Sequence, residues 1–492
     1  MKKIMPIIIE VISYFFILLF IYAGFSKALD FKNFQVQIGQ SPLLSYYTGV
    51  ISYSVIISEM IIVILLLFKK PRIWGIYASL GLMSAFTAYI YLILEYADYV
   101  PCSCGGILEN LKWNQHFIFN IICVIGLVAA IIIYHNIRYI KTLRYLPLTF
   151  IVIISSSLGV FFLYLKSENE LRRNNNFTRR YVPHALEDEI KLDINYNSFY
   201  FAGQDSDNIY LGNSTAPLNL TIIKKDLSSF SKFRIPLNTK ENKFKNLKVL
   251  WKTPYYYIYD GTVPVIYRGN LENNDFLELI TVGEMYFDQL NILSHESFIF
   301  RSQSSLFKNF VIGLYQNKEI KLHHEIMGTE SKGYLDNDGL LLFDDQTKTP
   351  LYLYYYKNEF LVFKQFENKS TYRLIGHKQG QKTEMVTLPD GSQKIKNVLQ
   401  QTLKNASVSN NLLFVNSTQK AAHDGTMQWN KASIIDIYKI DQQYYSGSFL
   451  VPNRHGEKVK DLLIADECLY ILIGNEIVKY RFARPIIDEF HR

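Results

Sequence analysis

The pattern of apolar and polar positions changes near residue 165. Before it, five mostly apolar runs of about 18–22 residues are separated by polar turns, and each run is long enough to cross a bilayer as a helix. A small-residue cleavage site is missing after the first run, which we therefore interpret as a membrane helix rather than a signal peptide. The sequence predicts five transmembrane helices, at residues 4–23, 48–68, 73–94, 117–134 and 146–165.

After residue 195, apolar and polar residues alternate over short stretches. A polar turn followed by three to five apolar or aromatic residues occurs six times, at 199–202, 255–259, 298–300, 340–343, 412–415 and 469–472. Intervals of roughly 40–70 residues are typical of four-stranded blades with variable loops. The pattern predicts an all-β domain, most simply a six-bladed β-propeller, with a pair of β-sandwiches as the alternative.

These two patterns define the expected domain organisation. We expect a four-helix membrane domain at 1–145, a fifth helix at 146–165 that tethers the outer domain, a linker at 166–195 and the propeller at 196–492. Polar and charged residues without an apolar period, including three consecutive asparagines, indicate the linker.

Basic residues predict the orientation. They cluster before the first run, between runs two and three and between runs four and five, and the positive-inside rule places these clusters in the cytoplasm. A further basic cluster follows the fifth run, but long downstream domains are exported largely regardless of charge. We therefore expect an inner-membrane protein with a cytoplasmic N-terminus and a periplasmic C-terminal domain. The basic clusters are Lys2 and Lys3; Lys69, Lys70 and Arg72; Arg138, Lys141 and Arg144; and the exception, Lys166, Arg172, Arg173, Arg179 and Arg180.

The net charge of +8 over 492 residues does not change this interpretation. Nucleic-acid binding predicts a basic stripe on a soluble domain, whereas much of this charge flanks the apolar runs. The sequence therefore predicts the lipid bilayer as a partner and no nucleic-acid partner.

Candidate chemistry lies between the third and fourth runs. Cys102 and Cys104 are separated by one serine and followed by two glycines, in a loop on the predicted outer side. A disulfide between them would close a very small ring, which removes little chain entropy and is hard to form without strain. Strained, exposed disulfides are more often catalytic or regulatory than structural. The alternatives are a bridge that only pins the loop, or a Cu(I) or zinc site with His116 as a third ligand.

Polar residues inside the apolar runs are further candidates. His116, Asn120 and Cys123 share one helical face, and His116 directly follows the cysteine loop, where it could shuttle a proton or simply anchor the helix at the interface. Cys123 is more simply a small buried residue. Glu59 lies near the middle of a span and needs a partner, for which Lys27 is a candidate. The pair is either structural, or a proton-linked or quinone-contacting group.

Several of these residues resemble a known family. The helices are similar to the DoxX/MauE group of redox-associated membrane proteins over roughly residues 4–140. The cysteine loop is the most specific part of this resemblance. The residues that carry it are Ala23-Gly24-Phe25-Ser26-Lys27, Asp30-Phe31, Ser41-Pro42-Leu43-Leu44, Glu59, Pro101-Cys102-Ser103-Cys104-Gly105-Gly106, Trp113, Gln115-His116 and Asn120.

The resemblance implies a four-helix core and a role in disulfide formation or thiol supply during maturation of exported proteins. The favoured hypothesis is thiol–disulfide exchange at Cys102 and Cys104, supported by His116, Glu59, Lys27 and Asn120. A membrane quinone or a thioredoxin-like protein would exchange electrons with this pair, because the chain lacks the second exposed cysteine pair of self-contained quinone-linked disulfide generators. The rival hypotheses are a membrane-anchored propeller that binds a protein or peptide without catalysis, and metal handling by the cysteine pair.

Overall fold

The computed structural model describes the chain in segments. They are residues 5–39, 47–96, 113–173, 177–237, 243–272, 277–304, 309–327, 334–364, 368–375, 385–387, 393–395, 401–421, 424, 426–442 and 444–491.

The N-terminal third is helical. Five of its helices are long and apolar enough to span a membrane, which confirms the five predicted spans; the short α2 was not predicted. The six helices are α1 (Met5–Leu29), α2 (Phe31–Gly39), α3 (Thr48–Leu67), α4 (Arg72–Tyr96), α5 (Trp113–Ile137) and α6 (Thr142–Arg173).

Hydroxyl groups inside the bundle bond to their own helices. Ser13, Ser79 and Thr149 are buried, and each donates a hydrogen bond of 2.7–2.9 Å to the carbonyl four residues earlier. This pairing satisfies polar groups where water is scarce. Large apolar side chains point outward, including Leu18 at 69% and Phe162 at 63% exposure. Such exposure is unfavourable in water and is typical of a lipid-facing surface.

The remainder of the chain forms six antiparallel four-stranded sheets, which confirms the predicted six-bladed propeller. Blade 1 contains β2 (Phe199–Gln204), β3 (Asn208–Asn213), β4 (Asn219–Lys224) and β5 (Phe230–Arg234). Blade 2 contains β6 (Lys248–Lys252), β7 (Tyr255–Asp260), β8 (Val265–Asn270) and β9 (Glu278–Val282). Blade 3 contains β10 (Gln289–Ser294), β11 (Ser297–Ser304), β12 (Asn309–Gln316) and β13 (Glu319–His323).

The other three blades follow the same plan. Blade 4 contains β14 (Gly339–Asp344), β15 (Thr349–Tyr354), β16 (Glu359–Lys364) and β17 (Asn368–Arg373). A separate hairpin follows, β18 (Met385–Thr387) and β19 (Gln393–Ile395). Blade 5 contains β20 (Leu403–Ser409), β21 (Leu412–Ser417), β22 (Ala432–Lys439) and β23 (Tyr444–Pro452). Blade 6 contains β24 (Asp461–Ala465), β25 (Cys468–Ile473), β26 (Glu476–Phe482) and β1 (Leu186–Asp193).

Each blade is buried on both faces, because one hydrophobic cluster fills each of the six gaps between neighbouring blades. In the gap between blades 1 and 2, for example, the rings of Tyr210 and Trp251 stack with centroids 3.8 Å apart. The six repeats seen in the sequence fall one in each blade, in the first or the second strand. They are therefore the inner strands that supply these clusters.

Three short helices lie among the blades: α7 (His324–Met327), α8 (Thr426–Lys431) and α9 (Arg484–His491). In α9, Ile486, Ile487 and Phe490 pack on the cluster between blades 5 and 6. The apolar face of this last helix therefore covers the seam beside the closing blade.

The ring is closed by the first and last strands of the β domain. The outermost strand of blade 6 is β1, which pairs antiparallel with β26. This strand and the end of α6 both fall within 166–195, where the sequence predicts a linker. The structure differs there because β1 is an edge strand exposed along most of its length, so it has no alternating apolar pattern to signal it.

A buried arginine fixes the segment before β1. The Arg179 side chain is fully buried, and its guanidinium lies 2.5 Å from an oxygen of Asp424 and 2.9 Å from one of Asp436. It also donates to the Ser417 hydroxyl, and the adjacent Tyr181 forms a parallel bridge with Ser448 of β23. These contacts attach residues 179–182 to blade 5 before the chain enters blade 6.

This closure predicts where the β domain can be cut. A secreted fragment of residues 177–492 should fold, whereas 196–492 should be much less stable because it lacks β1 and leaves two buried aspartates unpaired. The unpaired aspartates alone should lower the free energy of unfolding by about 3–5 kcal/mol. Urea unfolding followed by circular dichroism measures the difference.

Two single variants of the longer fragment separate the causes. Arg179→Leu should lower the free energy of unfolding by most of the roughly 3–5 kcal/mol assigned to the unpaired aspartates, although β1 still pairs with β26. Arg180→Leu removes the neighbouring, exposed arginine and should cost about 1 kcal/mol or less. Equal stability of the two fragments would contradict the role given to this segment.

Candidate functional site

An ion pair lies inside the helical bundle. Lys27, in the last turn of α1, places its Nζ 2.5 Å from Oε1 of Glu59 on α3. The two side chains are 12% and 1% exposed. The sequence proposed this pairing, and the structure contains it. Burying two charges is unfavourable unless they lie in good geometry and are hydrogen-bonded, so the positions of the two groups are closely constrained.

The carboxylate is only half satisfied. Oε2 of Glu59 is buried and has no hydrogen-bond partner within the described part of the chain. A Cβ atom added at Gly24 of α1 would lie 3.3 Å from this oxygen and 2.4 Å from the end of Met60. Glycine at this position therefore allows α1 to approach α3 closely beside the carboxylate.

Two aromatic rings flank the lysine. The ammonium lies 5.8 Å from the ring centroid of Phe34 on α2 and 6.0 Å from that of Phe86 on α4. Both distances suit cation–π attraction, which is stronger away from water. Four helices therefore converge on Lys27. Sequence reasoning missed both phenylalanines, because aromatic residues are common in apolar runs and nothing marks these two.

The buried face of α5 carries the other polar candidates. His116 is half-buried in the first turn, with its ring 6.5 Å from that of Trp113, and the charge of Lys27 acts on it. Asn120 is buried one turn further on. Cys123 has a free thiol and packs in the bundle core, in keeping with the small buried residue expected there.

Cys102 and Cys104 lie outside the described residues, in the segment between α4 and α5. Because consecutive spans run in opposite directions, the ends of α1 and α4 and the starts of α3 and α5 lie at one end of the bundle. The segment with the cysteines therefore joins the bundle at the end where Lys27 and His116 lie. Among the described residues, no group of three or more His, Cys, Asp or Glu side chains could hold a metal ion.

The described part of the chain thus defines a multi-pass membrane protein with a six-bladed propeller in the same polypeptide. The family model described as methylamine utilisation protein MauE matches residues 5–134. This match confirms the MauE resemblance of the N-terminal helices, and it includes every candidate site residue predicted from the sequence.

Solved structures resemble about three fifths of the chain. A member of the DUF4221 family from Bacteroides vulgatus is 12% identical, with 61% of this chain and 97% of that chain covered and a TM-score of 0.39. Virginiamycin B lyase from Staphylococcus aureus is 8% identical, with 60% and 99% covered and a TM-score of 0.36. Similarities this distant say nothing about function. No curated protein matches the chain.

The ion pair can be tested by a double-mutant cycle in the purified full-length protein. Lys27→Met and Glu59→Leu should each lower stability by about 3–5 kcal/mol, because each strands one buried charge. The double variant should lose much less than the sum of the two. Thermal unfolding in detergent, converted to free energies, gives the coupling; additive losses would show that the two groups do not interact.

Proposed function

We propose that this protein is an inner-membrane thiol–disulfide exchange protein. Cys102 and Cys104 are its reactive pair, and the propeller binds the client or partner whose thiols are exchanged. The observation that supports this most directly is the position of three polar residues. Lys27 and His116 lie at the end of the bundle where α4 ends and α5 begins, and Glu59 is paired with Lys27. The MauE match covers the same residues, and it is the resemblance of the sequence to that group that implies thiol chemistry.

The exchange proceeds in two balanced steps. A thiolate of one partner attacks a sulfur of the other partner's disulfide, so that one S–S bond forms, another breaks and the leaving thiolate takes up a proton. The second thiol of the attacking pair then displaces the mixed disulfide. Two electrons and two protons pass between the pair and its partner in each cycle. A membrane quinone or a thioredoxin-like protein returns the pair to its starting state.

The polar residues of the bundle have defined roles in this proposal. His116 is nearest in sequence to the cysteine segment and exchanges the proton of the departing or attacking thiol. Lys27 contributes positive charge, which favours a thiolate nearby. Glu59 holds Lys27 in place, and Asn120 supports the face of α5 that carries His116. Lys27, Glu59 and Asn120 are therefore positioning residues rather than reacting groups.

The propeller contributes a surface for a protein partner, as propellers commonly do. A cleft of about 670 Å³ opens beside blade 1, and its lining includes the apolar Pro217, Leu218 and Phe244 and the basic Arg234 and Lys243.

The exchange chemistry can be tested by substituting the cysteines. Cys102→Ser/Cys104→Ser should insert normally but abolish the biological role, because serine cannot form a disulfide. In the wild type, alkylation followed by mass spectrometry should show a two-thiol change that follows the redox buffer, with a midpoint above about −300 mV. A Cys104→Ala or Cys102→Ala variant should trap a mixed disulfide with the partner.

Two results would contradict exchange. Full activity of the double-serine variant would favour the membrane-anchored binding propeller. Thiols that stay reduced, yet are alkylated only after a chelator is added, would favour a metal site. Zinc or copper should then be measured in the purified protein.

Orientation can be tested with alkaline phosphatase fusions. Because short basic turns mark the cytoplasmic side, fusions at Asn110 and after Lys166 should be active and a fusion at Pro71 inactive. The opposite pattern would place the cysteines in the reducing cytoplasm, where a stable disulfide is not expected.

A further inference from the structure

Three lysines cluster where blades 5 and 6 meet. Lys404 is the second residue of the first strand of blade 5, while Lys458 and Lys460 lie within three residues before the first strand of blade 6. The first strands β20 and β24 are neighbours and lie innermost in the ring, since strands are added outward within each blade. The cluster, Lys404, Lys458 and Lys460, is therefore at the inner rim of one face of the propeller.

Backbone carbonyls hold two of these ammonium groups in place. Nζ of Lys404 donates to the carbonyl of Val459 at 3.0 Å, and Nζ of Lys460 donates to the carbonyls of Phe199, at 3.0 Å, and of Asn197. An ammonium has three donors, so neither group is saturated by these bonds. Each lysine reaches from its own blade to the next, which fixes its charge relative to the rim.

The charges of the cluster act on one another and on the neighbouring carboxylates. Partial burial lowers the pKa of Lys404, and the charges of Lys458 and Lys460 lower it further, while Glu457 acts in the opposite direction. Partial burial lowers the pKa of Lys460 against the raising effect of the charge of Asp461, whose carboxylate accepts hydrogen bonds from the backbone N–H groups of Phe201 and Leu462. Among the described residues, neither Lys404 nor Lys460 forms an ion pair with a carboxylate.

Aromatic residues border the cluster on both sides. The Lys458 ammonium lies 5.9 Å from the ring centroid of Trp429, in α8 of blade 5. Tyr196 adjoins Asn197, whose carbonyl binds Lys460, and it is 59% exposed. Fixed cations beside aromatic side chains complement the charge of a polypeptide with carboxylate side chains.

We infer that this inner rim binds an acidic segment of a protein partner, with the lysine cluster contacting its carboxylates. A peptide segment is favoured over a lipid headgroup because of where the cations lie. They are held at the innermost strands of the ring, whereas a flat bilayer would contact the outer edges of the blades first. The inference goes beyond the thiol chemistry proposed above and does not depend on it.

The test uses the full-length protein in detergent and fluorescein-labelled hexaglutamate as the probe, with fluorescence anisotropy at low and at physiological salt. The wild type should bind, and binding should weaken as salt rises. Lys404→Glu/Lys460→Glu should weaken binding at least about tenfold, since it reverses two contacting charges. The single variant Lys404→Gln should have an intermediate effect and Lys404→Arg should retain binding.

A matched variant controls for overall charge. Lys232→Glu/Lys321→Glu changes the net charge by the same amount on the exposed edge strands β5 and β13, and it should bind as the wild type does. Cys102→Ser/Cys104→Ser should also bind normally, so loss of thiol chemistry and loss of binding are distinguishable. Thermal unfolding verifies that each variant is folded.

Three results would overturn the inference. The first is no binding of hexaglutamate by the wild type at low salt. The second is equal weakening by the cluster and control variants, which would show non-specific attraction. The third is that phosphatidylglycerol vesicles displace the peptide and that their binding requires the same lysines. This result would assign the rim to a lipid surface.

Discussion

The pairing of β1 with β26 is the contact on which the β domain depends. Each blade buries both of its faces against its neighbours, so an incomplete sixth blade would expose the clusters on either side of it. The strand that completes blade 6 comes from the opposite end of the domain's sequence. Arg179, held by Asp424 and Asp436 in blade 5, fixes the chain directly before this strand. The buried ion pairs and the edge strand thus act together to complete the ring.

A different constraint governs the helices. Apolar packing between helices is weakly selective in a bilayer because lipid is equally apolar, so polar contacts and small residues define which faces meet. The Lys27–Glu59 pair joins α1 to α3, Gly24 lets these helices approach, and the rings of Phe34 and Phe86 bring α2 and α4 to the same point. The bundle is therefore most specific where it is least apolar.

The sequence predicts the large features well because each has a strong period. Long apolar runs identify all five spans, and six short apolar stretches identify the six blades, since both patterns reflect the removal of apolar side chains from water, into lipid in the first case and into the protein core in the second. The same reasoning fails at β1, where burial is slight, and at α2, which is too short to span a membrane.

The polar sites show the same division. The partner of Glu59 could be proposed because a charge within a span needs one. Arg179, by contrast, looks like one of several basic residues in a polar stretch, and the two aspartates that pair with it lie more than 240 positions away. The lysine cluster likewise forms only when blades 5 and 6 meet, and its members look in the sequence like ordinary surface lysines.

The closure of the ring also determines when during synthesis the β domain can exist. Glu189 of β1 contacts Tyr480 of β26 across a separation of 291 residues. At ribosomal rates of about 5–20 residues per second, β1 is made roughly 15–60 s before its partner strand. During that interval its edge is open to other chains, so chaperone capture competes with misassembly. Completion of the ring therefore waits for the synthesis of β26, and a nascent chain interrupted before β26 has no finished propeller to present.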